Sequence, residues 1–194
     1  SVSSKNIFLL ENISIKSTIK APQMKQYDFI LVSNIKPIKN NLFAVQLAQK
    51  MNKKLLLVGQ NQDPGYYERI KQTITDKVEI ETTISNAQSV MHWANFGLHT
   101  SVSETGPLVL IEYLAHGLPF LAYDTGEVAQ RLKKDFPLFF IDNFDLEQWQ
   151  ERIQKIKEMP VDYAKFDNIF EKEFGQQNYY QKLEAIYLCI HQKN

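Results

Sequence analysis

Cysteine is nearly absent, because Cys189 is the single cysteine among 194 residues. One cysteine cannot form an internal disulfide, and such scarcity is typical of proteins that fold in a reducing compartment. Cys189 lies in the apolar run Ile-Tyr-Leu-Cys-Ile, which predicts a thiol packed on a buried helix face rather than a nucleophile. The sequence therefore favours neither a disulfide scaffold nor cysteine-based catalysis.

An excess of charge of either sign is also absent, because 22 basic side chains balance 22 acidic ones. Proteins that hold nucleic acids through phosphate contacts usually carry a basic excess, so we expect no nucleic-acid partner. No apolar run approaches the roughly 20 residues of a membrane-spanning helix, and the N-terminus lacks the charged-then-apolar pattern of a signal peptide. We therefore expect a cytoplasmic location, which leaves peripheral membrane contact open.

Glycine is scarce where the common nucleotide-binding loops need it. Residues 33–40 follow a long apolar run and contain no glycine, whereas a dinucleotide-binding turn requires Gly-x-Gly-x-x-Gly. A P-loop and the Gly-x-Ser-x-Gly elbow of many hydrolases are missing as well. Metal-ligand spacing is absent among the histidines, so we expect neither a metal nor a bound cofactor. These histidines are His92, His99, His116 and His191.

What the chain has is a regular alternation of apolar strands with amphipathic helices. Strands are predicted at residues 6–10, 27–33, 54–59, 78–82, 98–102, 119–123 and 138–141. Helices are predicted at residues 41–51, 66–74, 85–93, 107–116, 127–133 and 146–156, and from Pro160 to the last residue. This order predicts an α/β fold, a doubly wound Rossmann-like parallel sheet with helices on both faces. The length suits a single domain over residues 1–194, with a helical extension at about 160–194.

Ligands of such folds bind at the carboxyl ends of the strands, where the strand order reverses. The predicted strand ends place Ser33, Gly59, residues 82–83 and residues 101–104 at that edge. Lys39 follows the first long strand and can reach a phosphate group as a positive point charge. A solvated loop lysine explains Lys39 equally well, so both interpretations stay open.

Two glutamates, Glu104 and Glu112, are separated by seven residues at the predicted junction of a strand and a helix. Pro107 suits the first position of that helix, because its missing N–H needs no partner there. The free N–H groups and the positive end of the helix dipole lie between the glutamates and form an anion site. A glutamate near a helix start more often complements the dipole, so the spacing alone does not decide between these roles.

Residues 103–122 resemble the Glu-x7-Glu signature of GT-B glycosyltransferases, specifically the large retaining family four. The likeness includes Gly117 and Pro119, which match the continuation Glu-Ala-x-Ala-x-Gly-x-Pro-Val-Val-Ala. Residues 32–39 stand where that family has Gly-Arg-Leu-x-x-x-Lys-Gly, and residues 124–128 resemble a shortened Gly-Gly-x-x-Glu-Val. The strand end at Gly59 and the final helix are also similar, so the resemblance covers essentially the whole chain.

The resemblance implies the C-terminal, nucleotide-sugar-binding domain of a retaining glycosyltransferase of the hexosyltransferase type, active in polysaccharide biosynthesis. Such an enzyme transfers a sugar from a nucleoside diphosphate sugar to a glycan or lipid-linked acceptor, without a metal. By this likeness Glu104 is the catalytic residue against the donor sugar, and Glu112 binds the ribose hydroxyls. Lys39 and backbone amides hold the diphosphate and the sugar, and backbone groups around the ends of other strands hold the base. The remaining donor-binding residues are Asn34, Gly59, Thr83, Thr105, Gly106, Leu108 and Val109.

Three departures from the family pattern stand out. Asn34 replaces the arginine that accompanies the phosphate lysine, which removes a positive charge and a bidentate donor. Gly106-Pro107 replaces Phe-Gly, so Pro107 contributes no N–H. The N-terminal acceptor domain of a GT-B enzyme is absent from the sequence, and residues 6–15 resemble the linker into the C-terminal half. We therefore expect a fragment that is inactive alone, from an enzyme at the inner face of the membrane.

Two other functions remain open at this stage. One is a non-catalytic Rossmann-like binding module, which the loss of the arginine at Asn34 favours. The other is a phosphosugar enzyme of the GT-B epimerase type, which needs no acceptor.

Overall fold

A computed structural model describes Ser14 and residues 24–84 and 86–191 of the chain. The strand expected at residues 6–10 and Ser85, the first residue of the helix expected at residues 85–93, lie outside the described residues. So does the expected linker at residues 6–15, apart from Ser14.

Six parallel strands form one sheet in the order β3-β2-β1-β4-β5-β6. The strands are β1 (Tyr27–Val32), β2 (Leu55–Val58), β3 (Val78–Glu81), β4 (Ala94–His99), β5 (Phe120–Tyr123) and β6 (Phe140–Ile141). This order confirms the predicted doubly wound Rossmann-like sheet. It reverses between β1 and β4, which are neighbours in the sheet but far apart in the sequence, so the carboxyl ends of these two strands flank the ligand-binding crevice of the fold.

The described part of the chain contains eight α-helices. They are α1 (Asn41–Lys50), α2 (Pro64–Thr73), α3 (Gln88–Met91), α4 (Leu108–Ala115), α5 (Glu127–Leu132), α6 (Leu146–Glu158), α7 (Tyr163–Phe174) and α8 (Gln176–His191). No helix in this part combines the length and the apolar character needed to cross a bilayer. The predicted C-terminal extension comprises α7 and α8, of which α7 buries Phe166, Ile169, Phe170 and Phe174 against the domain.

Tyr113 fixes α4 over the junction of β1 and β4. Its ring is fully buried, and its hydroxyl donates a hydrogen bond to the carbonyl oxygen of Leu98 at 3.0 Å. The same hydroxyl lies 3.4 Å from the N–H of Val32, whose hydrogen it accepts. A Cβ atom at Gly97 would lie 2.8 Å from the Tyr113 ring, so only glycine leaves room for this contact. The helix that carries Glu112 is thus held directly on the switch point.

The prediction for β4 is wrong at both ends, because the strand runs Ala94–His99 rather than over residues 98–102. The chain leaves the sheet after His99 because its next hydrogen bonds go to the turn that follows β1. The Thr100 hydroxyl donates to the carbonyl oxygen of Lys39 at 2.9 Å, and the Val102 N–H donates to the carbonyl oxygen of Ile38 at 2.9 Å. The segment before Glu104 is therefore a loop.

Smaller corrections concern helix ends and β6. Pro107 is the N-cap of α4, with an extended ψ of 103°, rather than its first helical residue. Helix α3 ends at Met91, so Trp93 lies outside it, since β4 already begins at Ala94. Strand β6 has two residues because Pro137–Phe139 forms a 3₁₀ turn before it.

The prediction of a buried thiol at Cys189 is wrong. Cys189 is half-buried, and no residue of α8 is buried. Helix α8 packs against α7 and leaves apolar side chains such as Tyr187 and Leu188 more than half exposed, at 61% and 51%. The apolar spacing correctly predicted a helix, but spacing carries no information about what covers the helix face.

Candidate functional site

The loops that follow β1 and β4 meet at the switch point of the sheet. Lys39 ends a 3₁₀ turn, Pro37–Lys39, and lies seven residues beyond the end of β1 at Val32. Glu104 lies five residues beyond the end of β4 at His99. The hydrogen bonds from Thr100 and Val102 to the Lys39 turn join the two loops, so the residues predicted for one edge are in contact.

Lys39 and Glu104 form an ion pair in which the ammonium donates to Oε1 of the carboxylate. Both side chains are largely buried, with 18% and 17% of their surface exposed. His99, the last residue of β4, places its Nε2 atom 3.6 Å from the same Oε1 atom. One carboxylate oxygen thus faces a lysine ammonium and a buried imidazole.

These neighbours determine the ionisation of Glu104. Burial raises the pKa of its carboxyl, but the polar groups of His99, Lys39 and Ser101 and the positive charge of Lys39 outweigh burial. The net effect lowers the pKa from 4.5 to about 2. Burial lowers the pKa of His99, against the opposing influence of Glu104. At neutral pH the site therefore contains an ionised carboxylate, a charged lysine and a neutral imidazole.

A Glu104→Gln variant should show how far this ion pair stabilises the fold. Because the folded-state pKa lies below its usual value, the stabilisation is complete above pH 4.5 and is lost as the pH falls toward 2. The fall in pKa from 4.5 to about 2 corresponds to about 3 kcal/mol at neutral pH. Urea unfolding at pH 7 should show a difference of that order between wild type and variant, and the difference should shrink steadily between pH 4.5 and pH 2.5. A difference that stays constant across this range would contradict the assignment.

The loop that follows β5 contacts the backbone of Glu104 and Thr105 and holds it in place. The Glu104 N–H donates to the Thr125 hydroxyl at 3.2 Å, and the Glu127 N–H donates to the carbonyl oxygen of Thr105 at 2.8 Å. Gly126 lies between these contacts with φ of +85°, a conformation that glycine adopts without strain. A Cβ atom there would lie 2.8 Å from Cδ of Pro107 and 3.2 Å from Cβ of Glu104. The backbone of the Glu104 loop is thus held by direct packing.

The N-terminus of α4 presents unused hydrogen-bond donors beside this ion pair. Among the described residues, no acceptor receives a hydrogen bond from the N–H groups of Thr105, Gly106, Leu108 and Val109. Pro107 interrupts the series because it has no N–H. Leu110 already donates to the carbonyl oxygen of Pro107, at 3.2 Å. Free amides and the dipole of an eight-residue helix make this end suitable for an anion.

Glu112 lies within α4 and has a different set of contacts from Glu104. Its carboxylate is half-buried and accepts a hydrogen bond from Nε2 of Gln88 at 3.0 Å. The same Nε2 atom lies 3.4 Å from the hydroxyl of Ser14. Gln88 begins α3, so Glu112 faces the space between α3 and α4 while Glu104 faces the β1 loop. The anion site at the start of α4 lies between the two glutamates.

Comparison with known protein families identifies the family of this chain. A family model described as glycosyl transferases, group 1, matches residues 13–173. The chain belongs to the group 1 glycosyl transferases. The comparison with curated proteins finds no match.

Solved structures show that the fold is that of GT-B glycosyltransferases. A glycosyltransferase from Rickettsia africae is 16% identical with a TM-score of 0.73, and the match covers 85% of this chain and 48% of that one. A variant of TarM from S. aureus, in complex with fondaparinux, alpha-GlcNAc-glycerol and UDP, is 18% identical with a TM-score of 0.71, covering 94% and 39%. HepE from Anabaena, in complex with UDP and glucose, is 16% identical with a TM-score of 0.67, covering 83% and 48%. This group 1 glycosyl transferase chain thus spans about half the length of these structures or less.

The structure brings the remaining predicted donor-binding residues of this group 1 glycosyl transferase to the same edge. Gly59 directly follows β2, and Asn34 and Thr83 lie two residues beyond the ends of β1 and β3. Asn34 is half-buried, and its carbonyl oxygen lies 3.4 Å from Nδ2 of Asn41. Thr83 is exposed, and its hydroxyl lies 3.3 Å from a carboxylate oxygen of Glu81. No group of three or more histidine, cysteine, aspartate or glutamate side chains in the described ranges is arranged to hold a metal.

Sequence reasoning missed three contributors to this site. The sequence presents His99 only as a possible metal ligand, because the strand predicted at residues 98–102 places it near the start of that strand, whereas the structure has it at the carboxyl end of β4. Thr125 and Gly126 belong to the segment that resembles a family motif, but nothing in that motif says that they support Glu104. Their role depends on the contact between two loops, which local sequence does not encode.

Proposed function

We propose that this chain is the donor-binding half of a retaining glycosyltransferase that uses a nucleoside diphosphate sugar. Sugar transfer to a glycan or lipid-linked acceptor would take place in a cleft between this half and an acceptor-binding half of comparable size. The observation that carries the proposal is the convergence of Lys39, Glu104 and the free amides of α4 at the switch point. TarM and HepE, which share the fold, have structures in complex with UDP, and this supports a nucleotide-sugar donor.

Charge determines where the donor's diphosphate would lie. A diphosphate placed against the Glu104 carboxylate alone would be repelled, whereas Lys39 and the amides of Gly106, Leu108 and Val109 provide positive charge and donors beside it. As the bond between sugar and diphosphate breaks, negative charge develops on the leaving oxygen, and these groups stabilise it without a metal. We assign Glu104, which faces the same space, to the donor sugar and to catalysis.

The other residues complete the nucleotide pocket. Glu112 lies one helical turn beyond the amides and binds the ribose hydroxyls as an acceptor. Asn34, Gly59 and Thr83 surround the base and the phosphates from the ends of neighbouring strands. The reaction class is hexosyl transfer in polysaccharide biosynthesis, in the cytoplasm at the inner face of the membrane, with membrane contact made by the complete enzyme. This chain alone is inactive because the acceptor would bind in the other half.

Titration with UDP, GDP and ADP, followed by backbone amide NMR, tests this proposal. We expect at least one of them to shift the amide signals of Lys39, Gly106, Leu108 and Val109 in a saturable way. The matching nucleoside without phosphates is the control, and it should leave the signals at the start of α4 unchanged. If none of the three diphosphates shifts signals at Lys39 or between residues 104 and 112, the chain does not bind donor at this edge.

A non-catalytic binding module is the second candidate, and Asn34 favours it. Asn34 is neutral, so less positive charge is available beside Lys39 to neutralise a leaving diphosphate. Labelled nucleotide sugar, added to a protein that contains both halves, separates the candidates. Label in an acceptor product that Glu104→Gln abolishes supports the transferase, unchanged donor supports the module, and an altered free sugar without acceptor supports an epimerase.

A further inference from the structure

His99 is a buried titratable group whose position the proposed mechanism does not explain. Its side chain is 2% exposed, and neither Nδ1 nor Nε2 has a hydrogen-bond partner among the described residues. Buried polar atoms in native proteins are nearly always paired, so an orphaned imidazole needs an explanation. An apolar residue at the end of β4 would avoid the free-energy cost of burying unpaired polar atoms.

The surroundings of His99 indicate what the imidazole does. The charged groups that face it in the described part of the chain are Glu104, with Oε1 3.6 Å from Nε2, and Lys39, which is bonded to that oxygen. The backbone of Tyr123, on the neighbouring strand β5, is the remaining polar contact. Lys39 is therefore the nearest positive group to the Glu104 carboxylate, and the His99 imidazole lies farther from the same oxygen.

Donor binding would change this order. Lys39 has one ammonium group, which is bonded to Glu104 in the free protein, and the diphosphate competes for it with more negative charge than a carboxylate carries. Once Lys39 turns to the diphosphate, Glu104 remains largely buried, with 17% of its side chain exposed, and has lost its cation. A buried carboxylate in that state must either take up a proton or gain a new positive partner.

We propose that His99 is a positioning residue, which takes up a proton when Lys39 turns to the diphosphate and so keeps Glu104 ionised and in place beside the donor sugar. The proton comes from solvent on donor binding and returns to solvent when the diphosphate leaves. No other bond changes. This inference rests on the proposed function, because it requires the diphosphate to bind at Lys39.

The first test needs no ligand and leaves His99 unchanged. Lys39→Met removes the first partner of Glu104, so it places His99 in the state that the donor would create. Histidine side-chain NMR over a pH series should show that His99 gains its proton at higher pH in this variant than in wild type. Lys36→Met is the matched control, because Lys36 lies in the same loop and its side chain has no ion pair in the described residues. His92, His116 and His191 serve as internal references. Equal titration of His99 in wild type and Lys39→Met overturns the proposal.

The second test measures the affinity for a nucleoside diphosphate glucose by calorimetry at pH 6, 7 and 8. The nucleotide is the one whose diphosphate binds best. The pyrophosphate of a nucleoside diphosphate glucose is esterified at both ends, so it has no ionisation near neutral pH. Wild type should bind about threefold or more tightly at pH 6 than at pH 8, because one proton is taken up on binding. His99→Gln keeps an N–H donor but cannot gain charge, so this dependence should vanish, and thermal unfolding should show that the variant is folded.

The outcomes of the second test separate this inference from the function on which it rests. If wild type binds no nucleoside diphosphate glucose at any pH, the proposed function fails, and the role of His99 fails with it. If wild type binds and His99→Gln shows the same pH dependence, the role of His99 is wrong while the donor site stands.

Discussion

Replacing Gly59 with alanine should lower the free energy of unfolding by at least about 3 kcal/mol, the largest change we expect from any single methyl group in this site. A Cβ atom at Gly59 would lie 2.0 Å from the carbonyl oxygen of Ser33 and 2.5 Å from its carbonyl carbon. Both atoms belong to the backbone and cannot rotate away as a side chain would. The two strand ends would have to separate.

Separation is costly because the same residues are hydrogen-bonded across the sheet. The Ser33 N–H donates to the carbonyl oxygen of Val58 at 2.9 Å, and the Gly59 N–H donates to that of Glu81 at 3.0 Å. Relief of the clash at Gly59 would break at least one of these bonds at the edge where the donor binds. We therefore expect Gly59→Ala to lose nucleotide binding together with stability.

Gly65→Ala is the control for the Gly59 prediction. Gly65 lies in the first turn of α2, and a Cβ atom there would meet only a carboxylate oxygen of Asp63, at an ordinary 3.5 Å. Alanine also favours a helix over glycine by about 0.8–1.0 kcal/mol. Urea unfolding should show Gly65→Ala equal to wild type or more stable. Similar stabilities for the two variants would show that the close approach of Gly59 and Ser33 does not exist in solution.

The fold could be predicted from the sequence because each central strand is an apolar run with a helix on either side. Residues 27–33 and 54–59 were placed within one or two residues of β1 and β2, since both strands are buried inside the sheet. The end of β4 could not be placed this way. Val102 looks like a strand residue, but its N–H bonds to Ile38, which lies 64 residues away in the sequence. Only the folded chain determines such a partner.

The candidate site, like the fold, could be predicted only in part from the sequence. Parallel strands place their carboxyl ends at one edge, so the sequence could predict that Lys39 and Glu104 share it. Their direct contact, and the burial of His99 beside them, depend on the register of β1 against β4 and on side-chain rotamers. The fit of Tyr113 against Gly97 is also invisible in the sequence, although it holds the helix that carries Glu112.

Replacing Lys39 with methionine should weaken the binding of the preferred nucleoside diphosphate by about 10- to 100-fold. It should also lower the stability, because it leaves Glu104 without its ion-pair partner, so thermal unfolding has to show that the variant is folded. The factor follows from removing a charge-assisted hydrogen bond to phosphate, which contributes about 1.5–3 kcal/mol. Methionine keeps the length of the side chain but carries no charge. Calorimetric titration gives the affinity, and Lys36→Met, in the same loop, should bind within about twofold of wild type. Unchanged affinity in Lys39→Met would contradict the assignment of the diphosphate to this lysine.

Glu104→Gln should leave the same affinity unchanged or raise it, whereas Lys39→Met lowers it, and this contrast separates two roles for the ion pair. If Glu104 only anchors Lys39 in the right place, the variant releases the lysine and binds the diphosphate more weakly. If Glu104 competes with the diphosphate for Lys39, as the shared space at the switch point indicates, the variant frees the ammonium and removes a like charge, so a nucleoside diphosphate should bind as tightly as to wild type or a few-fold more tightly. The carboxylate would then weaken binding of the diphosphate product while serving the sugar of the intact donor, which is the pattern expected of a residue that acts on the reaction rather than on binding.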